Sequence, residues 1–214
     1  MSFKSGFVSI VGNPNVGKST LFNKLLNEDL SVVTNKPQTS RNKLLGIINH
    51  KNYQLILIDT PGYVNPSYKL HEYMNSKVFS SFEGSDLIIY VSDITEKKIN
   101  DKILSYVNKK NIPLYFIMNK SDLIKNNTSI NVKEFESYNY QIMDIISCKS
   151  EKDIGIVKKK IIDFLPNHKP YYPQDYFTSS SKREIASEII RENIFLNYKQ
   201  EIPFSSFVQV YSFK

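Results

Sequence analysis

The chain has 214 residues, 41% of them hydrophobic, with 28 Lys/Arg against 21 Asp/Glu. That supports one full domain plus part of a second and argues against wholesale disorder. A single cysteine, Cys148, excludes an internal disulfide and fits a reducing cytosol, and no apolar run is long enough to cross a bilayer. The N-terminus is too short and too soon interrupted for a signal peptide, so a soluble intracellular protein is expected.

In chain order, apolar runs predict strands at 6–11, 43–48, 54–58, 86–92, 113–118 and 141–146, with helices at about 18–27, 69–83, 96–110 and 153–165. Continuous apolar strands alternating with helices give an α/β fold, a mainly parallel sheet covered by helices on both faces. Residues 165–177, LPNHKPYYPQDYF, contain three prolines and read as a linker. Tyr171 and Tyr172 in that stretch are expected to pin it to a domain surface rather than to stack on bases. Beyond it, Ser181 or a neighbour caps a helix with Ile185, Ile189 and Ile190 on one face, and the alternation in IPFSSFVQVYSFK predicts a strand. One helix and one strand are too little to bury a core alone.

The net charge of +7 invites a nucleic-acid reading, yet residues 166–214 hold 6 Lys/Arg and 5 Asp/Glu, so the tail is not a basic arm. Lys158, Lys159 and Lys160 read as a solvated helix face. His50, His71 and His168 show no ligand spacing.

Four motifs carry chemistry. Residues 12–20, GNPNVGKST, follow a strand and open a helix, which is the context of a phosphate-binding loop. The backbone of Gly12, Asn13, Pro14, Asn15, Val16 and Gly17 would wrap the phosphates, with N–H groups from all but the proline, and Thr20 would stand in the first turn of the helix beside them. Lys18 reaches the β- and γ-phosphates, and the Ser19 hydroxyl ligates Mg2+. Asp59, Thr60, Pro61 and Gly62 follow the strand LILI, where Asp59 can hold Mg2+ and the Gly62 N–H can meet a γ-phosphate. Asn119, Lys120 and Asp122 follow LYFIM. A carboxylate at Asp122 accepts both N1–H and N2–H2 of guanine, a donor pair that adenine lacks. Asn119 braces the loop, and the Lys120 stem lies across the base. Ser147, Cys148 and Lys149 complete the pocket with backbone N–H groups aimed at guanine O6. GTP is the nucleotide expected.

Together with KPQTSRNKLLGI, DYFTSSSKREIASEIIRENIF and EIPFSSFVQV, these motifs resemble the Era family of ribosome-assembly GTPases over nearly the whole chain. The resemblance implies a GTPase domain at 1–168, then a linker and an incomplete KH-type RNA-binding domain at 169–214. It implies GTP or GDP with Mg2+ as ligands, and small-subunit ribosomal RNA and the 30S particle as partners. It also implies a cytoplasmic location with peripheral contact at the membrane, and no DNA. Within the switch segment Gln38, Thr39 and Ser40 would face the nucleotide, with Thr39 or Ser40 as a further Mg2+ ligand. Three departures from the family pattern stand out: Ser40 where threonine is usual, Cys148 where alanine is usual, and no GXXG loop after residue 170.

Tyr63 occupies the position where a Ras-type enzyme places its water-orienting glutamine. Related GTPases with an apolar residue there can use potassium as an extra positive charge, held partly by an asparagine of the phosphate loop, the position of Asn15 here. The alternative for Asn15 is a loop-stabilising role. Lys18, Asn15 and Gly62 are therefore the catalytic candidates. Two rival classes stand beside the GTPase reading. One is an RNA-binding module with a structural, weakly hydrolysing nucleotide site, which measurable turnover would exclude. The other is an ATP-dependent kinase, with which Asp122 conflicts.

Overall fold

The computed structural model describes residues 2–33, 42–67, 69–95, 99–124, 138–198 and 202–212. Its centre is a six-stranded sheet in the order β2-β3-β1-β4-β5-β6. The strands are β1 (Lys4–Gly12), β2 (Leu44–His50), β3 (Tyr53–Asp59), β4 (Leu87–Asp93), β5 (Leu114–Asn119) and β6 (Ile142–Ile145). All pairings are parallel except β2 with β3. Every residue of β4 and β5 is buried. Burial on both faces is why these runs are continuously apolar instead of alternating.

Helices α1 (Lys18–Leu26), α2 (Lys69–Phe82), α3 (Asp101–Lys109) and α4 (Glu151–Phe164) supply that cover. One core layer gathers Leu21, Phe22 and Leu25 of α1 with Ile154, Val157 and Ile161 of α4. The other gathers Val78 and Phe82 of α2 with Ile103, Leu104 and Val107 of α3. Burying each such aliphatic side chain is worth about 1.5–3 kcal/mol. The three on α1 fix the turn that carries Lys18 and Ser19.

The helix starts follow their caps. Helix α3 begins at Asp101, later than periodicity suggested, because the Asn100 side chain accepts from Ile103 N. Helix α4 begins two residues earlier than expected because the Ser150 side chain accepts from Asp153 N. Ser181 caps α5 (Lys182–Asn197) in a full capping box with Glu184. The apolar face expected on α5 is not the buried one. Ile189 and Ile190 are exposed, while Arg191 and Phe195, one turn apart, are buried.

The strand expected over 202–214 is not formed among the described residues. Ile202–Ser205 makes a short helical turn, α6, and 206–212 joins no sheet. Alternation is a necessary sign of a strand, but a ladder partner is what makes one. Phe207 and Tyr211 are 82% and 79% exposed there.

The linker is fastened to the sheet. Ser5 N donates to Pro166 O, and His168 N donates to Phe3 O. Gln54 on β3, fully buried, accepts from Tyr171 N and Tyr172 N and donates to Tyr172 O. The Tyr171 ring packs against Phe7 and His168, so it pins the linker as expected. Farther on, Ile47 N of edge strand β2 donates to Phe177 O, and the Thr178 hydroxyl donates to Leu45 O. The linker thus covers a backbone donor and an acceptor that an edge strand would leave open. Lys158 and Lys160 are not simply solvated: their ammonium groups bind Leu25 O and the Asp144 carboxylate.

Candidate functional site

Parallel strands deliver their C-terminal ends to one rim of the sheet, and all four motifs emerge there. The phosphate loop joins β1 to α1. Gly17 adopts φ 99°, and a Cβ there would stand 2.2 Å from Asn119 Nδ2. Only glycine allows both the turn and that approach. Asn15 takes φ 61° in the same loop and is exposed. Val16 plugs the core beneath, and its carbonyl accepts from Asn119 Nδ2 at 2.9 Å.

Lys18 is almost fully buried, and its ammonium donates to Asn13 O at 2.7 Å, across the span of the loop. Burial pulls its pKa down to about 8, against the attraction of Asp59. Asp59, at the end of β3, is 1% exposed. Burial pushes its carboxyl up, partly offset by hydrogen bonds from Ser31 and Ser19 and by Lys18. Both hydroxyls donate to Asp59 Oδ2, Ser19 at 2.7 Å and Ser31 at 2.6 Å.

The other oxygen, Asp59 Oδ1, is buried and has no hydrogen-bond partner among the described residues. A buried carboxylate oxygen left open beside a serine hydroxyl is a hard-donor arrangement that fits Mg2+. Ser19 and Asp59 would hold it, directly or through water. Bound with the nucleotide, Mg2+ neutralises charge on the β- and γ-phosphates.

The segment after Asp59 closes over the loop. The Thr60 hydroxyl donates to Ile10 O and Tyr63 N donates to Gly12 O, stitching Asp59–Gly62 to β1. A Cβ at Gly62 would lie 2.8 Å from Pro14 N, so this glycine permits the closest approach of the two loops. Tyr63 is 5% exposed, with its ring edge-on to Phe79 in the core. Its ring sits in the core with Val78 and Phe79. Asn75 of α2 clamps the next residue, accepting from Val64 N and donating to Val64 O.

At the base end, Asn119 ties three segments together. It donates to Val16 O and accepts from Cys148 N at 3.0 Å. Lys120 adopts φ 68° and pairs with Asp93 at 2.6 Å, which sets its stem beside the pocket. The Asp122 carboxylate accepts from Lys149 Nζ at 2.6 Å and from the Ser147 hydroxyl at 2.7 Å. These bonds, Lys149 first, hold it below the usual carboxylate range and keep it an acceptor. Cys148 is buried, and desolvation pushes its thiol up to about 12. Its side chain is inert here, and its backbone N–H serves Asn119.

The structure thus brings together residues 12–20, 59–62, 119–122 and 147–149. Gln38, Thr39 and Ser40 lie outside the described residues. Sequence reasoning missed Asn23, Ser31 and Asn75. Asn23, one helical turn after Ser19, donates from Nδ2 to Ser31 O, and its Oδ1 accepts from Ser31 N. No local pattern marks such a clamp, although the Ser19–Asn23 spacing puts both on one helix face.

Comparison with known proteins agrees with this geometry. Residues 7–120 match the family described as 50S ribosome-binding GTPase. The GTPase Era of Ruminiclostridium cellulolyticum is 38% identical over 221 residues, covering 100% of this chain and 73% of the relative. Among solved structures, Aquifex aeolicus Era Y63A bound to GDP·AlF4− superposes with a TM-score of 0.87 at 32% identity, covering 95% of this chain and 71% of that one. Era in complex with MgGDPNP and nucleotides 1506–1542 of 16S ribosomal RNA superposes with a TM-score of 0.85 at 33% identity, covering 95% and 70%. By its phosphate loop, its sheet order and these alignments, the chain belongs to the Era family of GTPases.

Proposed function

We propose that GTP hydrolysis in this chain times its engagement with small-subunit ribosomal RNA during assembly of the 30S particle. The reading is supported by the solved Era complex, which holds 16S ribosomal RNA and aligns with 95% of this chain. The matched family description names the 50S particle, but it rests on residues 7–120 alone, so the longer alignment is followed. The structural observation that carries the reading is the seating of the linker. Its hydrogen bonds go to Gln54 on β3 and to Leu45 and Ile47 on β2. Strand β3 ends at Asp59, and β2 follows the switch segment, so both lead directly to the γ-phosphate end of the pocket. A nucleotide-driven shift of either strand is handed to whatever the linker carries.

Residues 166–214 contain no glycine, hence no GXXG clamp, and their net charge is only +1. These 214 residues are therefore expected to bind RNA weakly, because phosphate attraction cannot easily compensate for the missing clamp. Titration of an RNA matching the 3′ end of 16S ribosomal RNA, with GDP and with a non-hydrolysable GTP analogue, tests the coupling. Weak binding that differs between the two nucleotides supports it. Equal binding in both states, or tight binding indifferent to salt, counts against it.

Potassium belongs to the same proposal. Tyr63 is buried in the core, and on this reading an extra positive charge from K+, held partly by the exposed Asn15, takes the place of a water-orienting side chain. Turnover is then slow, and faster in KCl than in NaCl at equal ionic strength, with Asn15→Ala erasing the difference. Equal rates in both salts for the wild type would remove potassium from the mechanism. The location proposed is the cytoplasm, with membrane contact only peripheral; co-sedimentation with anionic vesicles that salt reverses is the expected result.

A further inference from the structure

Asp59 is held by more than the phosphate loop. Its Oδ2 takes a hydrogen bond from Ser19 and a second, shorter one from Ser31, while Oδ1 stays open and buried. Ser31 is 8% exposed and Asn23 is 7% exposed. Asn23 satisfies both backbone groups of Ser31 at 2.7 and 2.8 Å, so the Ser31 hydroxyl has little freedom to point elsewhere. Helix α1 thus reaches Asp59 twice, directly through Ser19 and indirectly through Asn23 and Ser31. The ring closes α1, the segment after it and the end of β3 around one carboxylate. Two hydroxyls donating to one oxygen restrain the rotation of the carboxyl and leave the other oxygen for the space beside Ser19.

We propose that Ser31, locked by Asn23, is a positioning residue for the magnesium site: it orients Asp59 so that Oδ1 faces the metal's hydration shell. The inference rests on the reading of Ser19 and Asp59 as the Mg2+ site. Ser31 itself touches neither metal nor nucleotide. Second-shell groups of this kind are worth roughly 10- to 100-fold in metal affinity. Removing the Ser31 hydroxyl weakens the hold of Mg2+ on the bound nucleotide without touching the groups that bind guanine or phosphate.

The test is release of a fluorescent GDP from the 214-residue chain, measured in EDTA and at rising Mg2+. In the wild type Mg2+ slows release. Ser31→Ala needs roughly tenfold more Mg2+ for half of that effect, while its release rate in EDTA stays at the wild-type value. Ser31→Thr, which keeps the hydroxyl, restores the wild-type Mg2+ response. Ser31→Cys, similar in shape with a weak donor, shifts in the same direction as alanine. An unchanged Mg2+ midpoint in Ser31→Ala overturns the inference. So does an equal loss of GDP in EDTA and in Mg2+, because that marks a role in loop shape only. If wild-type release is indifferent to Mg2+, the metal site falls and this inference with it.

Discussion

At the phosphate end of the pocket, Lys18 and Asp59 are 6% and 1% exposed, whereas at the base end the side chains of Asp122 and Lys149 are 30% and 77% exposed. The first pair is charged in a place that penalises charge. Burial outweighs their mutual attraction, drawing Lys18 down to about 8 and pushing Asp59 up. Polyphosphate and metal relieve both penalties at once, so binding energy there comes from charges already desolvated. The second pair meets in water, where an ion pair is worth little. Guanine can displace Lys149 from Asp122 at small cost, and discrimination rests on hydrogen-bond pattern rather than on charge. One end supplies strength and the other supplies choice.

The comparison breaks first at Gly17, which joins the two ends. A side chain there meets Asn119 Nδ2 and forces an unfavourable φ. Gly17→Val is expected to abolish measurable binding of both GTP and GDP by calorimetry, because the phosphate loop and the base loop can no longer touch. Next in size is Lys18→Ala, expected to lose roughly 1.5–3 kcal/mol of GTP affinity, about 10- to 150-fold. The same change removes a desolvated ammonium but also the charge that offsets the burial of Asp59, so thermal stability of the nucleotide-free protein should change little. A fall in melting temperature together with unchanged GTP affinity would reverse the assignment of Lys18.

Much of this site is readable in sequence because its parts are local. A phosphate loop is a run of nine residues between one strand and one helix, and each remaining motif sits at the end of an apolar strand. The strands themselves are legible because burial on both faces writes a continuous apolar run. What stays hidden depends on distant partners. The antiparallel course of β2 is not written in its apolar content. The clamps of Asn23 on Ser31 and Asn75 on Val64 are side-chain bonds to backbone, which any asparagine could make. The segment at 206–212 alternates like a strand but has no ladder to join. On α5 the isoleucines misled, because Arg191 folds inward beside Glu188 and Phe195 and takes the buried face.

Smaller effects sharpen the contrast. Lys149→Ala removes an exposed partner of Asp122, and GDP affinity should change by less than about fivefold. A larger loss would show that Lys149 itself binds the base. At the floor of the base end, Cys148 is 4% exposed with its thiol pushed up to about 12, so thiolate is scarce at pH 8. The native protein should resist a thiol-specific reagent at that pH and react once unfolded. Rapid native labelling would mean that the base loop opens far more than its hydrogen bonds to Asn119 allow.

The central claim is that Asp122 selects guanine while the buried phosphate end supplies the affinity. Competition binding with GTP, ATP and xanthosine triphosphate, on wild type and Asp122→Asn, tests it most directly. The wild type should bind GTP and largely exclude ATP. Asp122→Asn should weaken GTP and favour the xanthine nucleotide, whose carbonyl replaces the guanine amino group and can accept from the new amide. Equal binding of ATP and GTP by the wild type, or an Asp122→Asn protein that keeps its guanine preference, would contradict the account.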